Sequence, residues 1–140
     1  MTKEDDLLRD KEQRVTDANH VGQQMYGKNW QRIIDSISEL DPTFAEFIAE
    51  VPYGSVYPRT ELSLTYREIA SITALTQLNL RPQLKSHIIA ARRLGVSRRE
   101  IMELFLHLSM FIGFPLVLDG LRVAREVFDR EEEKARQTEL

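Results

Sequence analysis

From Ile101 onward the apolar residues of this chain fall three and four apart, at Ile101, Leu104, Phe105, Leu108, Phe111 and Ile112. That is the period of a helix with one buried stripe, not the alternation of a half-buried strand. The spacing returns in "WQRIIDSISELD", at Trp30, Ile33, Ile34, Ile37 and Leu40, and after Pro82, at Leu84, Ile88 and Ala91. No alternating run bounded by turn residues occurs, so the expected architecture is all-α with six or seven helices. A chain of 140 residues with 42% hydrophobic content suffices for one core. A single domain over 1–140 is therefore expected, with charged tails at 1–12 and 131–140.

The helix boundaries follow from local chemistry. The opening "MTKEDDLLRDKE" reads as a polar helix or a partly ordered arm. "GQQMYGKN" at 22–29 breaks the periodicity ahead of the Trp30 helix. Asp41 before Pro42 is an N-cap and first-turn pair, which predicts a short helix in "PTFAEFIAEV" with Phe44, Phe47 and Ile48 inward. "VPYGSVYPRTEL" carries three helix breakers and two tyrosines, and is expected to be an ordered connector, not helical throughout. Thr65 with Glu68 has the spacing of a capping box and predicts a helix to about Asn79. Pro82 suits the first turn of the next helix, which should stop at Gly95. Ser97 with Glu100 repeats the capping box. "GFP" at 113–115 ends that helix, and a last one should run from Pro115 to about Arg130, with Val117, Leu121, Ala124 and Phe128 inward.

Composition excludes several kinds of function. The formal charge of −3 and a pI near 5.7 argue against a surface that neutralises many phosphates, so nucleic acid is not an expected partner. No apolar run approaches the roughly 20 residues that span a bilayer, and no signal-like start occurs, so a soluble, cytoplasmic protein is expected. The absence of cysteine excludes disulfides, thiolate metal sites and thiol redox chemistry. Several helices look apolar over more than one face. "LFLHLSMFIGFPLVL" offers little polar surface in fifteen residues, which points to burial against other subunits.

Two pairs of residues have acid–base potential. Glu68 and His87 fall on consecutive helices, with His87 at the edge of the inward stripe. An imidazole there can accept and return a proton near neutral pH if a carboxylate orients it. The bland alternative is a core histidine that only satisfies its neighbours. Glu103 and His107 stand at i and i+4 on one helix, so their side chains can meet, and with His87 they could converge on a pocket. Their bland alternative is a helix-surface pair. No HExxH or other metal-binding pattern occurs, and no metal is expected. Arg59, Arg67, Arg81 and Arg122 are the candidate carboxylate anchors, Arg59 lying in the connector with Tyr53 and Tyr57. "ARRLGVSRRE" reads as a solvated helix end with Arg92 and Arg93 at the negative end of the helix dipole.

From Leu62 to Arg130 the chain resembles the carboxymuconolactone decarboxylase family, which includes the alkyl hydroperoxidase D-like proteins. The resemblance is carried by "LSLTYREIASITAL", "LKSHIIAARRLGVSRREIMELFLHLSMFIGFP" and "LDGLRVAREVF", and more weakly by "EFIAEVPYGSVYPRTEL". In the peroxidase branch a Glu, a CxxC pair and a His follow at fixed spacing. Here the Glu corresponds to Glu68 and the His to His87, while the cysteine positions hold Leu80 and Gln83. The proton-relay frame is present without its nucleophile, so thiol peroxidase activity is rejected.

The decarboxylase branch also lacks the CxxC. Its resemblance implies cofactor-free loss of carbon dioxide from a small carboxylated unsaturated lactone. His87 would donate the proton, and Arg67 or Arg59 would hold a carboxylate or lactone oxygen beside Tyr57. Glu103 with His107 would orient water or substrate. It also implies a helical homo-oligomer, a trimer or hexamer. Three departures stand out: "GSVY" replaces the family's "GDxW" stretch, Ile89 replaces an Arg two residues after the family His, and Glu68 is itself more typical of the redox branch. A related small carboxylic acid is thus as good a substrate expectation. A non-catalytic, ligand-binding member is the alternative to the lyase. The two differ in His87: a catalyst keeps it in a pocket, whereas a structural histidine is enclosed with both nitrogens bonded to protein.

Overall fold

The structure, a computed structural model, describes residues 10–139. Seven α-helices and no strand occur among them, which bears out the all-α expectation. Contacts divide the chain into two compact units, one ending at Leu64 and the other beginning at Thr65. No helix among the described residues is long and apolar enough to cross a membrane.

The N-terminal unit contains α1 (Lys11–Tyr26), α2 (Asn29–Leu40), α3 (Pro42–Ile48) and a π-helical segment (Ala49–Val56). The charged stretch expected at the start lies outside the described residues as far as residue 9, and Lys11 and Glu12 open α1. Asp10 caps α1 by accepting from the Gln13 amide at 2.8 Å. The helix runs through Gly22 and breaks only at Gly27, five residues later than the sequence suggests. Asp41 caps α3 by accepting from the Phe44 amide at 2.9 Å, with Pro42 in the first turn as expected. The buried faces supply Ala18, Val21 and Met25 from α1, then Trp30, Ala45 and Tyr53.

One expectation fails in this unit. Phe44 and Phe47 are exposed at 59% and 61%, and Ala45 is the buried residue of α3. A seven-residue helix places too few side chains for its period to fix a face, and the small residue went inward. The breaker-rich stretch is, as expected, not helical throughout, but its first part is helical as far as Val56, despite Pro52 and Gly54. It winds as a π-helix, with the Tyr57 amide bonded to the Pro52 carbonyl at 2.8 Å and the Ser55 hydroxyl to the Glu50 carbonyl at 2.7 Å. The Glu50 carboxylate ties this segment to α1 through Arg14 at 3.1 Å and Lys11 at 3.2 Å.

The C-terminal unit consists of α4 (Leu64–Gln77), α5 (Arg81–Arg93), α6 (Arg98–Ile112) and α7 (Phe114–Thr138). Its core joins Ile72, Leu84, Ile88, Ala91, Ile101, Phe105, Leu108, Val117 and Ala124, so the predicted stripes of α5, α6 and α7 largely face inward. Phe111 does not, at 72% exposure. The Ser97–Glu100 capping box forms in both directions, at 2.7 Å and 3.1 Å. Gly95 has φ +96°, a conformation that L side chains rarely adopt, and ends α5 as expected.

The charged C-terminal residues are helical to Thr138 instead of forming a loose tail from residue 131. Glu131 explains why. It receives Arg92 through Nε and Nη2, both at 3.0 Å to one or other of its oxygens, and Arg98 at 3.1 Å. Arg92 also donates to the Val96 carbonyl at 2.9 Å, so the "ARRLGVSRRE" segment is cross-linked to α7, not simply solvated. Burial alone would push the Glu131 carboxyl up, but the hydrogen bonds from Arg92 and Arg98 outweigh it and hold the group below its usual value. A carboxyl lowered on folding stabilises the fold above the unfolded value of 4.5, and that contribution disappears as pH falls through the folded value. Glu131→Gln should therefore lose about 1–2 kcal/mol in urea denaturation at neutral pH. The difference from wild type should shrink as pH falls through the folded value of Glu131, where its carboxyl takes up a proton and becomes neutral like the glutamine.

Candidate acid–base site

The connection between α4 and α5 brings the first pair together. Asn79 adopts φ +54°, a left-handed conformation that asparagine tolerates better than most residues, and the Leu80 amide closes back on the Leu75 carbonyl at 3.0 Å. The chain then reverses, and Glu68 meets His87 nineteen residues later. His87 Nδ1 lies 2.7 Å from Glu68 Oε2, at the short, charge-assisted end of such contacts. Because a carboxylate only accepts, Nδ1 carries the proton and donates. Nε2 is then the nitrogen that can take or give a proton elsewhere.

Burial differs sharply between the partners. The Glu68 side chain is fully enclosed, whereas that of His87 is 18% exposed. Among the described residues Glu68 Oε1 has no hydrogen-bond partner. It does not close the capping box that Thr65 and Glu68 suggest, since its one hydrogen bond goes to the imidazole. Burying a carboxylate with one bond is costly, and groups left in that state call for a functional explanation. Among the described residues His87 has one hydrogen-bond partner, Glu68 at Nδ1, and its side chain is not fully enclosed.

The second pair lies elsewhere. On α6 the inward positions are Ile101, Phe105 and Leu108, while Glu103 and His107 are exposed. No hydrogen bond joins these two among the described residues, and none joins either to Glu68 or His87. The His107 ring instead sits 5.1 Å from Phe111, at i+4. The expected convergence of Glu103, His107 and His87 is therefore not seen among the described residues, because 103 and 107 lie off the buried positions of α6. Glu103 edges a groove of about 410 Å³ walled by Met102, Leu106, Phe114 and Leu118. Among the described residues no cluster of three or more His, Cys, Asp or Glu side chains could hold a metal ion.

Arg67 is half-buried on α4, next to Glu68. Arg59 and Tyr57 lie in the N-terminal unit, where they line an open cleft of about 590 Å³ with α1. Tyr57 is held there by stacking on Tyr53 at 5.0 Å, and Tyr53 packs on Trp30 at 4.6 Å. Sequence reasoning missed a further residue of this cleft, His20. The available signal was a polar stripe on α1, with Gln13, Asp17, His20 and Gln24 falling four, three and four apart.

The chain has no cysteine, and its described residues are helical and bring a buried Glu68 against a partly exposed His87. The chain belongs to the carboxymuconolactone decarboxylase family, whose model matches residues 42–126. It is 30% identical over 118 residues to the 4-carboxymuconolactone decarboxylase of Acinetobacter baylyi, covering 84% of this chain and 88% of that protein. It is also 30% identical over 101 residues to an uncharacterized 15.0 kDa protein of Paracoccus denitrificans encoded between nqo9 and nqo10, covering 71% of this chain and 75% of that one.

Proposed function

We propose that the protein is a cofactor-independent carboxy-lyase acting on a small carboxylated unsaturated lactone or a related organic acid. The observation that carries this reading is the 2.7 Å contact between His87 Nδ1 and a fully buried Glu68, with His87 itself still open to solvent. The likeness to a 4-carboxymuconolactone decarboxylase along most of both chains supports the substrate class.

In such a reaction the bond between the ring carbon and the carboxylate breaks, and its electron pair moves through the conjugated system onto the lactone carbonyl oxygen. Carbon dioxide leaves, and a proton must reach carbon to discharge the dienolate. His87 Nε2 delivers that proton. Glu68 holds the ring in the required tautomer and balances the charge whenever both nitrogens are protonated. Arg67, next to Glu68 on α4, anchors a carboxylate or the lactone oxygen. The protein works as a soluble cytoplasmic homo-oligomer, a trimer or hexamer. Its exposed Leu106, Met110, Phe111 and Phe114 supply apolar surface for assembly, and Glu103 and His107 share that face of α6.

Carbon dioxide release from 4-carboxymuconolactone and a small panel of carboxylated lactones tests the reading. Wild-type protein should turn over at least one of them, and His87→Gln, with its fold and assembly intact, should be slower by about 10²–10⁴-fold. No turnover of any member by the wild type would remove the activity and favour a non-catalytic, ligand-binding member of the family.

A further inference from the structure

The outer face of α6 carries an apolar ridge that no described residue covers. Met102, Leu106 and Met110 stand four residues apart and are all exposed, with Phe111 beside them. Residues four apart form one row along a helix, so these side chains make a ridge about 12 Å long. Met102 and Leu106 also wall the groove of about 410 Å³ that Phe114 and Leu118 of α7 complete. Glu103 and His107 form the neighbouring row, likewise exposed. Among the described residues neither has a hydrogen bond or ion pair, and His107 has only its ring contact with Phe111.

From this arrangement we infer that the outer face of α6 packs against the same face of a second copy of the chain, antiparallel about a twofold axis near Leu106. Each copy then offers its ridge to the groove of the other, as helices do when their rows of four interdigitate. Antiparallel order sets Met102 toward Met110 of the second copy and Leu106 against its own counterpart. It also sets the Glu103 carboxylate toward His107 of the second copy, whose imidazole N–H can donate to it, and the axis makes that contact twice. The face is thus its own complement in charge and in shape. A parallel pair would set Glu103 against Glu103, which like charges oppose. A small apolar ligand would fill the groove and leave Met110 and Phe111 in water. The inference rests on the proposed homo-oligomer and uses nothing of the reaction. A closed trimer has no twofold axis, so the subunit number is even.

Sedimentation velocity of the full chain at micromolar concentration reads the assembly, and an introduced cysteine reads the axis. The chain has no cysteine of its own, so Leu106→Cys supplies one thiol per subunit, set beside its counterpart across the axis. Mild oxidation should turn most of that variant into a covalent dimer on a non-reducing gel. Ala74→Cys, exposed on α4, is the control and should remain largely monomeric on the same gel, because a disulfide needs the two backbones within about 7 Å. Leu106→Lys should keep its helical circular dichroism and sediment with fewer subunits. Glu103→Lys and His107→Glu should each weaken association by about fivefold or more, and the chain carrying both, which restores the pair in reverse, should recover most of that loss.

The inference is overturned if the wild type sediments as a monomer or a trimer, if Leu106→Lys keeps the full assembly, or if Leu106→Cys cross-links no better than Ala74→Cys. A monomer whose groove takes up an apolar dye would assign the face to a small ligand instead. Two charge changes that add instead of compensating would overturn the pairing of Glu103 with His107. None of these readouts depends on turnover, so this inference and the lyase reading fail separately. A protein that assembles through α6 and releases no carbon dioxide keeps the interface and loses the reaction, whereas an active protein whose assembly ignores Leu106→Lys keeps the reaction and loses the interface.

Discussion

Exchanging Glu68 for glutamine should cut carbon dioxide release about a hundredfold or more and leave the melting temperature unchanged or raised. The argument starts from the unequal satisfaction of its two oxygens. Oε2 accepts from His87 at 2.7 Å, while Oε1, in a fully buried side chain, has no partner among the described residues. Glutamine has nearly the same shape, and its carbonyl can take over the bond from Nδ1. What the exchange removes is the negative charge, and with it the counterion that an imidazole needs when it holds a second proton. Folding gains from the exchange, because burying a neutral amide costs less than burying a carboxylate. The chemistry loses. A residue kept only to hold α4 against α5 would behave in the opposite way, with a lower melting temperature and no separate effect on rate. Measuring kcat and the thermal midpoint on one preparation distinguishes the two, and a glutamine variant that turns over at the wild-type rate would exclude the proton-relay role.

The features legible in the sequence are those that local chemistry decides. Ser97 and Glu100 are three residues apart and cap each other whatever else the chain does, and Gly95 marks the end of α5 because few other residues take its backbone conformation. Glu68 shows where this ends. Thr65 and Glu68 have the same spacing as Ser97 and Glu100, yet Glu68 is drawn into the interior by a histidine nineteen residues away. Nothing within four residues could have said so, and it was the resemblance to a family that paired the two positions. The same holds for Glu131, which is one acid in a charged run until α5 and α6 bring Arg92 and Arg98 to it.

Glu103 and His107 show the converse limit. Their spacing puts them on one face of α6, but spacing alone does not say which way that face turns, and both are exposed. His20 escaped notice because the chemistry of its surroundings is assembled by the turn after Val56, which lies far along the chain. The candidate site was therefore half legible: Glu68 and His87 could be paired through the family resemblance, whereas the cleft that α1 forms with the segment after Val56 depends on residues far apart in the chain.

Alanine at Gly54 should destabilise the N-terminal unit by about 3 kcal/mol. A methyl group there would stand 2.6 Å from the Arg14 carbonyl oxygen and 3.0 Å from that of Ala49. Both are backbone atoms, one on α1 and one in the π-helical segment itself, so no side chain can swing aside to make room. The segment would have to move off α1, against the pull of Glu50 on Arg14 and Lys11. Tyr57 and Arg59 follow directly from that segment and would move with it, which widens the cleft and separates Arg59 from His20. Gly95→Ala is the control. That position has φ +96° but nothing within 4 Å of an added methyl, so the change should cost only about 1 kcal/mol of backbone strain. Trp30 is 3% exposed and packs on Tyr53 within the same unit, so its fluorescence in urea reports the stability that Gly54 controls. A Gly54→Ala midpoint within about 0.5 kcal/mol of wild type would show that α1 and the π-helix are not in close contact at that point, and would remove the physical basis for a cleft wall fixed at Tyr57 and Arg59.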